Sequence, residues 1–206
     1  MFSEKIVIAG KKIENASKAL IMLHGRGANA ADILSLSDHL KIEDFAIFAP
    51  QAKNNSWYPQ SFLAPPAQNE PWLSDALALI ENLIKDIAKK NISEENIYLL
   101  GFSQGACLTL EFITRNAVRY GGVVAFTGGL IGDKIYPEKY KGNFNQTPVF
   151  IGSSNPDFHI PVERVYATTN ILQSMGANVT QKIYDNMGHT INQDEIDNAN
   201  EIVFNR

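Results

Sequence analysis

A single cysteine, Cys107, stands in the 206 residues. That excludes an internal disulfide and fits a reducing compartment. No stretch approaches the roughly 18 consecutive apolar residues of a membrane span. The opening "MFSEKIVIAG" has an apolar tetrapeptide but no long apolar region of the kind a secretory signal carries. Lys and Arg never run longer than the pairs Lys11-Lys12 and Lys89-Lys90, and the net charge is −4. Nothing there would hold a phosphate backbone, so nucleic-acid partners are not expected. The expectation is a cytoplasmic protein without integral membrane association, its oligomeric state left open with a homodimer among the options.

What the chain does have is 45% hydrophobic and 19% charged residues, enough for a sizeable core. Short β-branched runs alternate with longer amphipathic ones. Strands are predicted at 18–25, 45–50, 96–101, 121–128, 148–153 and 179–185. Helices are predicted at 29–40, 73–90, 104–118, 162–175 and 191–204, with Ser74 as the N-cap of the second. Strands that read as near-continuous apolar runs, each followed by a helix, indicate a mostly parallel sheet covered on both faces. The start, "EKIVIAGKKIE", reads as a hairpin that adds an antiparallel edge. No linker or repeat divides the chain, so 1–206 is read as a single α/β domain without a large cap. Two long irregular stretches remain. Residues 51–72 hold four prolines with Trp57, Tyr58, Phe62 and Trp72, and 128–147 are rich in Gly, Lys and Asn. Long loops in a compact domain tend to carry function.

The chemistry starts at "GFSQGA", 101–106. G-x-S-x-G between an apolar strand and a helix suits a serine held in a strained turn, its oxygen above the sheet. A serine hydroxyl needs a general base. Of four histidines, His39 reads as solvated, His24 as a brace for the turn after its strand, and His159 as a loop residue. His189 follows the last strand, where the order Ser, acid, His of α/β hydrolases puts the base. The acid then lies between 103 and 189. Asp157 follows "PVFIGS" and is preferred; Asp133 is the alternative, and Asp185 is too close in sequence to His189 to reach the far ring nitrogen without a sharp fold-back. Oxyanion donors are expected from the backbone N–H groups of Gln104, after the nucleophile, and Arg26, in the glycine-flanked loop "LHGRGAN". Trp57, Tyr58, Phe62 and Trp72 are either anchors of their loop or walls of a substrate pocket, with Trp57 the named candidate. Cys107, one turn after Ser103, reads as packed against the sheet.

"LHGRGAN", "GFSQGA", "GGLIG", "DFHIP" and "MGHT", in that order over roughly residues 18–192, resemble the small phospholipase/carboxylesterase family of α/β hydrolases, which includes acyl-protein thioesterases and lysophospholipase-like esterases. The resemblance implies an α/β-hydrolase fold, a Ser-Asp-His triad, an oxyanion hole, no metal or organic cofactor, and a small or lipid-like ester as substrate. The family's acid usually stands in D-P-x-V-P; here Phe158 takes the place of that proline. The expected activity is a serine carboxylesterase or thioesterase. A peptidase, another acyl hydrolase or a catalytically silent binding protein on the same scaffold are the alternatives.

Overall fold

The structure is a computed structural model that describes residues 6–205. Its centre is a seven-stranded sheet in the order β1-β3-β2-β4-β5-β6-β7. The strands are β1 (Ile6–Gly10), β2 (Lys18–Leu23), β3 (Phe45–Pro50), β4 (Ile97–Phe102), β5 (Gly122–Phe126), β6 (Pro148–Asn155) and β7 (Asn178–Asp185). All pairings are parallel except that of β1, which runs antiparallel to β3. The helices are α1 (Ala30–Leu34), α2 (Trp72–Ala88), α3 (Gln104–Arg115), α4 (Val162–Ser174) and α5 (Gln193–Ala199).

The central strands show why they read as unbroken apolar runs. Along β2, Ala19, Ile21 and Leu23 enter one buried cluster, and Leu20 and Met22 enter the other. On β4 the split is Ile97 and Leu99 against Tyr98 and Leu100. Successive side chains of a strand face opposite sides, so a sheet covered twice needs an apolar residue at every position. Helices α2, α3 and α4 cover the first face through residues such as Leu73, Leu108 and Val165. Helices α1 and α5 cover the other through Ile33 and Ile196.

Five expectations about these elements need correction. Among the described residues the start forms no hairpin: β1 pairs with β3, and Ile13–Asn15 after it is a 3-10 turn. Residues 4 and 5 of that stretch lie outside the described residues. The helix expected at 29–40 holds only as α1, opened by a capping box of Asn29 and Asp32, before tightening to a 3-10 turn at Ser35–His39. There Ser35 Oγ donates to Asp32 O and Ser37 Oγ to Leu34 O, side-chain bonds that favour the tighter winding. Ser74 is not an N-cap. Helix α2 begins two residues earlier at Trp72, and the Ser74 N–H is taken by the Glu70 carboxylate at 3.1 Å. The helix expected at 104–118 stops at Arg115, where Asn116 leaves helical geometry (φ −131°, ψ 52°) and its side chain donates to Phe112 O.

The helix expected at 191–204 begins later, at Gln193, and passes into a π turn over Asn200–Phe204. Its capping box places Glu195 under β6, fully buried, with Oε2 accepting the Asn192 N–H and Oε1 unpartnered against Gly152. Burial pushes this carboxyl up to about 7 from an ordinary 4.5. A raised carboxyl favours the fold fully at pH below 4.5, and that contribution is lost as pH rises through 7. Wild-type protein should therefore lose up to about 3 kcal/mol from this group between pH 5 and 8. Thermal melts of wild type and Glu195→Gln across that range should differ in slope, the variant being flatter. Parallel pH profiles would remove Glu195 as the source.

Candidate active site

The turn between β4 and α3 holds Ser103 at φ 54°, ψ −118°, outside the ordinary regions for a side chain. Close packing keeps it there. A Cβ on Gly101 would fall on the Gly105 carbonyl, and one on Gly105 would fall on the carbonyl of Leu23 in β2. Both glycines are thus required by the approach of α3 to the sheet. The turn is tied down by Ser103 N–H donating to Phe126 O at 2.9 Å and Cys107 N–H to Ser103 O at 2.9 Å.

His189 Nε2 lies 2.8 Å from Ser103 Oγ, and its Nδ1 lies 2.8 Å from Asp157 Oδ2. With Nδ1–H donating to the carboxylate, Nε2 is left to accept the serine proton. Asp157 comes from the loop after β6. Its side chain is fully buried, and Oδ1 accepts the N–H groups of His159 at 2.7 Å and Ile160 at 2.9 Å. Burial pushes its pKa up, but the bonds from His189 and those two amides outweigh it and hold the carboxyl below its ordinary value. Gly188, at φ +80°, gives its N–H to Ser154 Oγ and so fastens the turn carrying His189 to the end of β6. The histidine is flanked by Phe102, at 5.4 Å between ring centroids, and His159, edge-on at 4.8 Å.

The other two acids are elsewhere. Asp133 is exposed and accepts the Tyr136 hydroxyl at 2.6 Å. Asp185 ends β7 opposite Asn155 and is exposed. Of the remaining histidines, His39 is exposed. His24 is buried; its Nδ1 donates to Gly25 O at 2.8 Å and its Nε2 accepts the Ala52 N–H at 3.1 Å. Burial lowers its pKa, so it braces the loop as a neutral ring. Cys107 is buried too, and burial pushes its thiol up to about 12, which keeps it protonated at neutral pH.

The Arg26 and Gln104 N–H groups have no acceptor among the described residues, and both residues line the cleft that Ser103 and His189 open into. That cleft encloses about 410 Å³. Trp57 is not part of its wall. The indole is 4% exposed and donates through Nε1 to His24 O at 2.8 Å, which sets it behind the wall as an anchor. Tyr58 and Phe62 line the cleft in its place.

Sequence reasoning missed the Gln104 side chain. Its Oε1 accepts the Trp57 N–H at 3.0 Å and its Nε2 donates to Tyr58 O at 2.8 Å, stapling the 56–62 strap to the first turn of α3. The available signal was a long amide directly after Ser103, at the first position of the predicted helix. Gln104→Ala keeps the backbone N–H and orphans two strap groups, each costing about 1–3 kcal/mol. The expected result is a lower melting temperature together with a roughly tenfold or greater fall in kcat/KM as the wall loosens. Unchanged stability would show that the strap stands without this staple.

The chain is similar to several known proteins. A crystal structure of a phospholipase/carboxylesterase from Dyadobacter fermentans is 53% identical, with a TM-score of 0.96 over 98% of this chain and 97% of that one. Acyl-protein thioesterase 1 of Saccharomyces cerevisiae is 26% identical over 90% of this chain and 91% of its own length. Acyl-protein thioesterase 1 of Gibberella zeae is 30% identical over 56% of this chain. The chain spans about half the length of that relative, 50%, and of several others. No helix among the described residues is long and apolar enough to cross a membrane. The sequence model of the phospholipase/carboxylesterase family matches residues 4–204, and on that match the chain belongs to this family of α/β hydrolases.

Proposed function

We propose that the protein hydrolyses carboxylic esters or thioesters through an acyl-enzyme on Ser103. The observation that carries this reading is the continuous run of hydrogen bonds from Ser103 Oγ through His189 to the buried Asp157. Ser103 Oγ attacks the acyl carbon and His189 Nε2 takes its proton. Asp157, held ionised, keeps the ring in the tautomer that can accept that proton and stabilises the imidazolium, without becoming protonated itself. The tetrahedral oxyanion receives the Arg26 and Gln104 N–H groups, which have no protein acceptor to give up first. Collapse breaks the bond to the leaving oxygen or sulfur, which departs with the proton from His189. Water then repeats the sequence on the acyl-enzyme, giving its proton to His189, and releases the carboxylic acid.

The cleft sets the substrate size. At about 410 Å³, bounded by Tyr58, Phe62 and Ile160, it suits short acyl groups better than long ones. Hydrolysis of para-nitrophenyl esters of increasing acyl length, with matched thioester and anilide sets beside them, tests the reading. It calls for turnover of esters or thioesters that peaks at short chains and far exceeds that of the anilides. Turnover of anilides alone would make the enzyme an amidase, and no turnover in any set would remove the hydrolytic reading.

A further inference from the structure

We propose that the Arg26 side chain selects esters that carry a carboxylate, receiving it at the mouth of the cleft beside Ser103. The proposal rests on the acyl-enzyme reading above and adds to it the charge of the substrate. Arg26 follows Gly25, whose backbone stands so near the nucleophile that a Cβ there would lie 3.5 Å from Ser103 Cβ. From that point the side chain crosses the cleft wall. Nη1 donates to Pro59 O at 2.9 Å and Nη2 to Gln60 O at 2.7 Å, with the guanidinium 5.9 Å from the Tyr58 ring centre.

Two carbonyls orient this fork but do not neutralise it. A guanidinium has five N–H donors, so three remain. Among the described residues no carboxylate lies within ion-pair distance of Arg26. The cleft is lined by Arg26, His159 and His189 among its polar groups, and by no Asp or Glu. Asp157, the nearest acid to the chemistry, is buried behind His189 with its oxygens already occupied. A chain of net charge −4 has thus kept carboxylates off the wall of its cleft and fixed a cation there.

Fixing matters energetically. Arg26 is exposed, and an exposed arginine with no partners loses rotamer freedom when it grips an anion, so that much of the gain disappears. Here the strap already holds the fork, and the strap is itself held: Gln60 N–H donates to Oδ1 of the buried Asn69, whose amide donates to Ser61 O. The ordering cost is met in folding, and the planar fork suits a carboxylate. The competing role is purely mechanical, a tie between the Arg26 loop and the strap. The two roles differ in what they do to charged and neutral substrates.

The test uses two matched pairs. In the first the charge is on the acyl half: para-nitrophenyl hydrogen adipate against its methyl ester. In the second it is on the alcohol half: para-acetoxybenzoate against its methyl ester. Wild type should favour the charged member of at least one pair about tenfold or more in kcat/KM, chiefly through KM, and that pair identifies the half that Arg26 receives. Arg26→Gln should reduce this preference about tenfold, whatever it costs both members in common, and Arg26→Lys should retain part of it. Added salt should erode the wild-type preference, a readout that needs no variant to fold. Preference for the neutral ester in both pairs overturns the proposal and leaves the esterase intact. So does an equal fall for both members in Arg26→Gln, which would assign the side chain to the strap alone. Hydrolysis of none of the four esters overturns the acyl-enzyme reading and this proposal with it.

Discussion

Ser103→Ala is expected to lower kcat on the best ester by about a millionfold, the loss typical when the nucleophile of an interlocked triad is removed. The reason lies in how the site is built. His189 Nε2 is aimed at Ser103 Oγ at 2.8 Å, and without that oxygen the base has nothing to activate but water held at no fixed position. Cys107 cannot substitute, since it is buried and its thiol stays protonated up to about 12. The fold should survive, because alanine removes only a hydroxyl from a half-buried side chain and leaves the backbone bonds to Phe126 and Cys107 in place. Steady-state rates alongside a thermal melt check both halves. A fall of only tenfold with an unchanged melt would mean that Ser103 is not the group that attacks.

The second large effect is at Asp157. Asp157→Asn should reduce kcat about ten-thousandfold, because an amide cannot hold the imidazole in the same tautomer or stabilise its charged form. The carboxyl is held below its ordinary value by three hydrogen bonds that outweigh its burial, so it stays ionised across any neutral assay range. The wild-type rate should therefore show no titration of Asp157 between about pH 6 and 9. Asp133→Asn serves as the control. That residue is exposed and tied to Tyr136, and its loss should leave kcat within about twofold. Equal losses at the two positions, or a loss at Asp133 alone, would reassign the acid.

Why some of this was legible in the sequence and some was not follows from the range of each interaction. The strands were legible because burial on both faces leaves an unbroken apolar run that a solvated strand cannot imitate. Gly101 and Gly105 were legible because the approach of α3 to β4 at the first, and to β2 at the second, admits no side chain. The antiparallel edge was legible as an edge, but its partner was not. The apolar pattern of β1 says that it pairs, while β3 lies some forty residues away with no local mark. Ser74 looked like a cap because the usual residue type preceded an apolar stripe. The decisive partner was Glu70, four residues back, which took the amide that a cap would have served. The 56–62 strap was the least readable part. Trp57 carries the same letters whether it faces a ligand or His24 O, and only the Gln104 staple from another element decides it.

The most direct test of the central claim is to quench the enzyme milliseconds after mixing with a para-nitrophenyl ester and to locate the added acyl mass by peptide mass spectrometry. One acyl group on the peptide containing Ser103, formed at the rate of the nitrophenol burst and absent from Ser103→Ala, is the result the account requires. An acyl group on another residue, or full turnover with no covalent species and no burst, would contradict it.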